Sequence, residues 1–240
     1  MKFHIGTSGW NYDSFVGVLY PPGTAKRRYL EEYARHFHTV ELNASFYRSF
    51  PEKTWIGWRD RTPEGFVWAV KAPRFITHIR RLDADRESLD RFFARAGLLA
   101  EKLGVVLWQL PPSLAFDMEL VQGFLARLPG DIRHALEARH ASWHRQEVFD
   151  LLKAHEIAWV VSDTAGRYPV SVTSTADFSY VRLHGHEQLY RGEYGTKRLR
   201  RWLEAVRALP VQEVFWYFDN TDDGSAPKDA LLLKEMLGSG

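Results

Sequence analysis

Apolar residues recur along the chain in two spacings that take turns. Short, nearly continuous runs of β-branched, aromatic and aliphatic residues occur at Phe3–Gly6, Thr39–Leu42, Phe66–Lys71, Val105–Leu110, His134–Arg139, Ala158–Asp163, Ser179–His184 and Glu213–Phe218. Each has the length and composition of a buried strand. Between most of them the apolar positions follow a helical period instead. The stripes are Leu30, Tyr33, Ala34 and Phe37; Leu89, Phe92, Phe93, Ala96, Leu99 and Leu103; and Val121, Phe124, Leu125 and Leu128. They continue with Val148, Leu151, Leu152 and His155; Leu199, Trp202, Leu203 and Val206; and Ala226, Ala230, Leu233 and Leu237. The segment from Pro51 to Asp60 reads as a short helix at most, and Thr164–Phe178 reads as loop.

Eight strands alternating with helices predict parallel strands, each covered by its own crossover helix. The 240 residues match the ~250 usual for a (β/α)8 barrel. The expected fold is therefore α/β, a single TIM barrel with an irregular or missing helix after the sixth strand. A doubly wound open sheet is disfavoured, because "GTSGW" after the first strand is not a G-x-G-x-x-G phosphate fingerprint and no helix follows promptly. One domain over 1–237 is expected, with 238–240 a flexible tail.

Such barrels work at the carboxyl ends of their strands, and polar residues collect there. The first strand runs into Trp10 and Tyr12, the second into Glu41, Asn43 and Tyr47, and the third into Lys71 and His78. The fourth ends in Gln109, the fifth in Glu137 and Arg139 with Trp143 beyond, the sixth in Asp163, the seventh in Arg182 and His184, the eighth in Asn220. Buried polar groups cost free energy unless paired, so this recurrence points to a pre-organised polar pocket. Within it, Glu41 and Glu137 are the candidate acid–base carboxylates. Lys71, Arg139 and Arg182 are candidate holders of a substrate anion or of transition-state charge. Asn43, His78, Gln109, Asp163, His184 and Asn220 would position the substrate, and Trp10, Tyr12, Tyr47 and Trp143 would stack on a sugar or base.

Composition narrows the chemistry. The chain has no cysteine, which removes disulfides, thiolate nucleophiles and Cys-ligated metals. The formal net charge of +2 permits an anionic ligand without the strong basic excess of a protein that grips long nucleic acid. No apolar run reaches the ~18 residues of a membrane span, and "MKFHIGTSGW" carries no signal-peptide core, so a cytoplasmic location is expected.

The segments "GTSGWNY", "VELNASFYRSFP", "VKAPRFITH", "LWQLPPS", "LEARHASW", "YVRLHG" and "YFDN", in order from Gly6 to Asn220, resemble the DUF72, or YecE-like, family. The resemblance implies a TIM barrel and specifies no reaction. Asp229 departs from it, since the family commonly has Asn there. A metal-free enzyme, a hydrolase or lyase without a bound cofactor, acting on a small anionic or sugar-containing ligand, is the leading expectation. A metal-dependent phosphodiesterase of the endonuclease IV type is a fold-level alternative, with Glu41, His78, Glu137, Asp163 and His184 as conceivable ligands. A non-catalytic nucleotide- or nucleic-acid-binding protein is another. For that reading, "YGTKRLRRW" supplies Lys197, Arg198, Arg200 and Arg201 in the first turns of a helix with Thr196 as expected N-cap. Cations there oppose the helix dipole.

Overall fold

The computed structural model describes residues 1–238. Its eight strands are β1 Lys2–Thr7, β2 Thr39–Leu42, β3 Val67–Lys71, β4 Leu103–Gln109, β5 His134–Glu137, β6 Ala158–Asp163, β7 Phe178–Leu183 and β8 Glu213–Phe218. All ladders are parallel and run β1-β8-β7-β6-β5-β4-β3-β2. A Ser8–Glu41 bridge joins the two ends, so the sheet is a (β/α)8 barrel. Helices α1 Tyr29–Ala34, α2 Ala44–Tyr47, α3 Glu52–Asp60, α4 Arg86–Ala96, α5 Met118–Leu125, α6 Gln146–Ala154, α7 Gly195–Arg207 and α8 Ser225–Gly238 surround it.

The sixth crossover has no helix, as its polar sequence predicts. The loop instead seals strand β6 through hydrogen bonds: Trp159 donates its backbone N–H to Thr175 Oγ1 (2.7 Å) and its indole N–H to the Ser171 carbonyl (3.2 Å). Three local readings need correcting. The Pro51–Asp60 segment forms a full nine-residue helix, α3, whose Trp55 and Trp58 are buried. The long stripe from Leu89 breaks after α4 into a 3-10 segment, and Leu103 begins β4 rather than ending a helix. Helix α8 reaches Gly238, so of the expected 238–240 tail the first residue is helical and the other two lie outside the described residues.

Helix starts follow ordinary chemistry where the sequence provides a cap. Asp85 accepts from the Ser88 N–H (2.7 Å) at α4, and Asp117 accepts from the Leu120 N–H (2.9 Å) at α5, satisfying one otherwise unpaired donor each. Helix α4 buries Leu89, Phe92 and Ala96 and carries Arg86–Asp90 and Glu87–Arg91 pairs on its exposed side. Such exposed i,i+4 pairs add only a few tenths of a kcal/mol (~0.3–0.5).

Side-chain parity builds two separate apolar layers. Ala69, Val105, Leu107, Ala135, Ala158, Val160, Phe178, Tyr180, Phe215 and Tyr217 form the filled barrel interior. Their neighbours on the same strands, among them Trp68, Trp108, Leu136, Trp159, Val181 and Trp216, join the larger core under the helices. Carrying the interior parity to the end of each strand gives Ser8, Glu41, Lys71, Gln109, Glu137, Ser162, Arg182 and Asp219. The charged mouth is thus the last storey of the barrel interior.

The seam between β1 and β2 has an unusual closure. The Tyr33 hydroxyl of α1 accepts from the Thr7 N–H (2.9 Å) and donates to the Thr39 carbonyl (3.0 Å). It stands where a direct strand–strand hydrogen bond would run. This insertion leaves no room beside Gly6, where an added Cβ would lie 2.4 Å from the Thr39 carbonyl oxygen and 2.8 Å from the Tyr33 hydroxyl.

Candidate active site

Arg182, fully buried at the end of β7, is the hub of the mouth. Its Nε and Nη2 grip Glu41 bidentately (2.8 and 2.7 Å). Nη1 donates to Glu137 Oε2 (2.6 Å) and to His184 Nε2 (3.3 Å), and Nη2 also reaches Asp219 Oδ2 (3.3 Å). All five N–H donors of the guanidinium are committed to the protein. Because His184 accepts at Nε2, its proton sits on Nδ1 and is donated to Asp219 Oδ2 (2.7 Å).

Glu41 is equally saturated. Oε1 accepts from Ser8 Oγ (2.8 Å) and Arg182, and Oε2 accepts from the Tyr180 hydroxyl (2.6 Å) and Arg182. Those four bonds fill the roughly four lone-pair sites of a carboxylate. The geometry therefore moves Glu41 from acid–base duty to anchoring Arg182, and Arg182 from holding substrate to positioning carboxylates. Glu137 accepts from Arg139 Nε (3.0 Å) and Arg182 and keeps lone pairs in reserve. Burial alone would raise its pKa, but Arg182 and Arg139 outweigh it and hold the carboxyl well below its ordinary range. Lying between the two guanidinium groups favours its carboxylate form. Asp219 behaves similarly: Arg182 and His184 overcome burial and lower its pKa.

Two cations at the mouth are not consumed. Among the described residues Arg139 uses only Nε, on Glu137, and rests over the Tyr168 ring (5.2 Å), leaving both terminal nitrogens available. Lys71, at the end of β3, is 8% exposed. Its Nζ lies 4.3 Å from the centre of the Phe46 ring and makes no ion pair or hydrogen bond among the described residues. Burial, then the Arg182 charge, lower its pKa to about 8 against the opposite pull of Glu41, Asp219 and Glu137. His78, on a π-helical turn at Phe75–Ile79, packs edge-on to the same Phe46 ring (4.9 Å). Burial, with Lys71, Arg139 and Arg74 nearby, lowers its pKa to about 4, so it is neutral at physiological pH. Gln109 turns back on its own strand end, donating to the Leu110 carbonyl (2.6 Å).

A second group of candidates lines an adjoining cleft of about 560 Å³ between the β1 and β2 loops and α3: Trp10, Tyr12, Asn43 and Tyr47. Trp10 packs edge-on to Trp58 and Trp68 (5.8 and 5.3 Å). The Tyr12 hydroxyl donates to the Ser8 carbonyl (2.8 Å), and burial with Asp219 close by raises its pKa. Asn43 Oδ1 is buried without a hydrogen-bond partner among the described residues, and Tyr47 is 77% exposed.

Three candidates fall outside the mouth. Trp143 is no rim aromatic: it is buried, donating its indole N–H to the Leu114 carbonyl (2.8 Å). Asp163 sits one position off the interior parity, caps Ala165 N–H (3.1 Å) and meets His186 (3.2 Å). Asn220 is likewise one residue too far; it donates to the Gly192 carbonyl and Asp229 (both 2.8 Å). The residues missed in their place, Ser162 and Asp219, were available by counting in twos from Val160 and Tyr217. Of the remaining partners of Glu41, Ser8 is legible as a polar end of the first strand, whereas Tyr180 reads as an apolar strand position.

The α7 start needs its own correction. Thr196 is not its cap; the Asp229 carboxylate, reaching from α8, accepts from the Tyr194 N–H (3.0 Å) and Gly195 N–H (3.3 Å). Arg198 pairs with Glu187 (2.5 Å), while Lys197, Arg200 and Arg201 are exposed. Asp229→Ala should therefore cost about 1–2 kcal/mol, the range of a lost N-cap. Thr196→Ala should stay within about 0.5 kcal/mol. Urea denaturation of the two variants measures the contrast; equal effects would return the cap to Thr196.

A parallel eight-stranded barrel with an ion-paired, asymmetrically charged carboxyl-end mouth has the form of a TIM-barrel protein with a built polar site. A sequence model of "Protein of unknown function DUF72" matches residues 4–240, and the chain belongs to that family. It is 30% identical over 98% of its length to the UPF0759 protein YunF of Bacillus subtilis (strain 168), covering 94% of that protein. Among solved structures, a DUF72 family protein from Thermotoga maritima superposes with a TM-score of 0.89 at 28% identity, over 99% of this chain and 100% of the other. A second, from Enterococcus faecalis, shares the fold with a TM-score of 0.86 at 21% identity, over 98% and 95% of the two chains.

Proposed function

We propose that the chain is an enzyme that binds a small anionic substrate, such as an oxo acid or sugar phosphate, at the barrel mouth. The supporting observation is the pair of cations left over once the internal network is complete: the terminal nitrogens of Arg139 and the unpaired amine of Lys71. A buried amine without a partner, as at Lys71, is costly, and a substrate carboxylate or phosphate relieves that cost while also engaging the free end of Arg139. Glu137, a fixed carboxylate beside both, orients Arg139 and supplies a weak base. Lys71 is the group able to gain or lose a proton near neutrality, the property expected of a general acid or base. Asn43 Oδ1, still lacking a donor, is suited to accept from a substrate hydroxyl in the adjoining cleft.

The geometry gives less support to a metal-dependent phosphodiesterase. Glu41 has no lone pair to spare, Glu137 lies between two guanidinium groups, and Asp163 and His78 point to different places. No three His, Asp or Glu side chains among the described residues are arranged to hold a metal ion. No helix of the described residues is long and apolar enough to cross a membrane.

Thermal unfolding with inorganic phosphate, oxalate, glucose 6-phosphate and glucose tests the reading. An anion at ~100 times its Kd adds about 2.7 kcal/mol, a rise of roughly 5–10 °C in Tm for a chain of this size. The anions should stabilise the protein, glucose should not, and Arg139→Ala should abolish the effect. An unchanged Tm with every anion, or an undiminished rise in Arg139→Ala, would refute anion binding at the mouth.

A further inference from the structure

Anion binding alone does not explain why the second free cation is Lys71. An arginine, or a lysine hydrogen-bonded at the rim, would hold a phosphate with less desolvation. Lys71 instead sits at the end of a barrel strand with its stem enclosed and its amine against an aromatic face. The groups facing it are Glu41 from β2, Glu137 from β5, Arg182 from β7 and Asp219 beyond β8, with His78 on its own loop. Every carboxylate in that set is engaged by Arg182, so none is committed to keeping the amine protonated. With its pKa lowered to about 8, on the order of a tenth of Lys71 is the free amine at pH 7, against roughly one in a few thousand for an exposed lysine. A desolvated lysine beside another cation is a recurrent way of making an amine nucleophile.

We infer that Lys71 is a Schiff-base lysine and that the substrate is a small carbonyl compound carrying a carboxylate or phosphate, with the anion on Arg139 and the carbonyl carbon at Nζ. This rests on the anion-binding reading of the mouth and names the substrate class and the covalent step. The Nζ lone pair forms the C–N bond while the C=O π pair moves to oxygen, which takes a proton. Nitrogen gives up one proton, giving a neutral carbinolamine. The hydroxyl is then protonated and leaves as water, and the nitrogen lone pair closes the C=N bond. In sum, amine, carbonyl and one proton give a protonated imine and water. These protons are exchanged with water. His78 packs on the same Phe46 ring and is bonded to Thr77 Oγ1 through Nδ1 (2.9 Å). The imine is an electron sink, so the reactions it serves are cleavage or proton transfer at the carbon next to the former carbonyl.

Reductive trapping tests this in the intact protein. The chain is incubated at pH 7 with sodium cyanoborohydride and, separately, glyoxylate, pyruvate or glyceraldehyde 3-phosphate, then analysed by intact mass and peptide mapping. The expected result, with at least one of the three, is one reduced adduct per chain on the peptide containing Lys71, formed at least tenfold faster than on Lys2, Lys197 or Lys228. Lys71→Arg should remove that adduct and leave slow surface labelling unchanged. Mapping of the wild-type chain decides the question even where a Lys71 variant folds poorly. Label spread evenly over surface lysines, or none at Lys71 with all three compounds, overturns the Schiff base. If phosphate still raises Tm through Arg139 in that event, the anion site stands and the covalent step alone falls.

Discussion

Arg182→Met is expected to lower the stability of the protein by about 3–5 kcal/mol, because it strips the partner from buried carboxylates. For a domain whose total stability is of order 5–15 kcal/mol, that is a loss of roughly 6–20 °C in Tm, or failure to fold. Glu41 would keep only Ser8 and Tyr180 as donors, and Glu137 only Arg139. Adding Glu41→Gln and Glu137→Gln to Arg182→Met should recover a substantial part of the loss, since the penalty lies in the uncompensated charges. Acid sensitivity provides a second readout. Glu137 and Asp219 have folded-state pKa values below their unfolded values. Their contribution is therefore complete above the unfolded carboxyl range, about pH 4–4.5, and is lost as pH falls below it. That acid-dependent component should shrink in Arg182→Met. Circular dichroism melts of both proteins from pH 3 to 7 measure the difference; superimposable curves would mean that the network contributes nothing to the fold.

The second large effect is expected at the seam. Gly6→Ala places a methyl group 2.4 Å from a backbone oxygen, which cannot swing aside as a flexible side chain would. Overpacking of this kind costs about 1–3 kcal/mol. Separating β1 from the Tyr33 hydroxyl would add the cost of an unsatisfied Thr7 N–H and Thr39 carbonyl, about 1–3 kcal/mol for each buried group. Tyr33→Phe isolates that second part and should accelerate amide hydrogen exchange at Thr7. If Gly6→Ala melts like the wild type and Thr7 stays protected in Tyr33→Phe, the seam is held by something other than this hydroxyl.

The barrel was legible because its two periodicities are written in residue type. Thr39–Leu42, Ala158–Asp163 and Glu213–Phe218 match their strands end to end, and the helix missing after β6 left its mark as a run with no apolar stripe. The mouth was read at the level of strand ends but blurred by one residue. Asp163 and Asn220 are the conspicuous polar residues at those strand ends, but the inward parity belongs to Ser162 and Asp219. Partnership was harder to see. Nothing local says that Arg182 would use all five donors or that Glu41 would be filled by Ser8 and Tyr180, residues 33 and 139 positions away. The Asp229 cap on α7 is hidden for the same reason, since its contacts lie 34 and 35 positions back along the chain. Trp143 misled because an aromatic after a strand end serves loop packing as readily as a ligand. The leftover status of Lys71 could emerge only after every other charge had been paired.

The way the barrel closes also sets an order of events. Strand β1 takes its full ladder from β8, more than two hundred residues downstream, and meets β2 through a single bridge and a borrowed hydroxyl. At ~5–20 residues per second, the first strand made on a ribosome waits roughly 10–40 s before the last one emerges. Through that interval "KFHIGT" is without the strand that supplies its ladder. Until β8 arrives, its apolar residues depend on being shielded during synthesis.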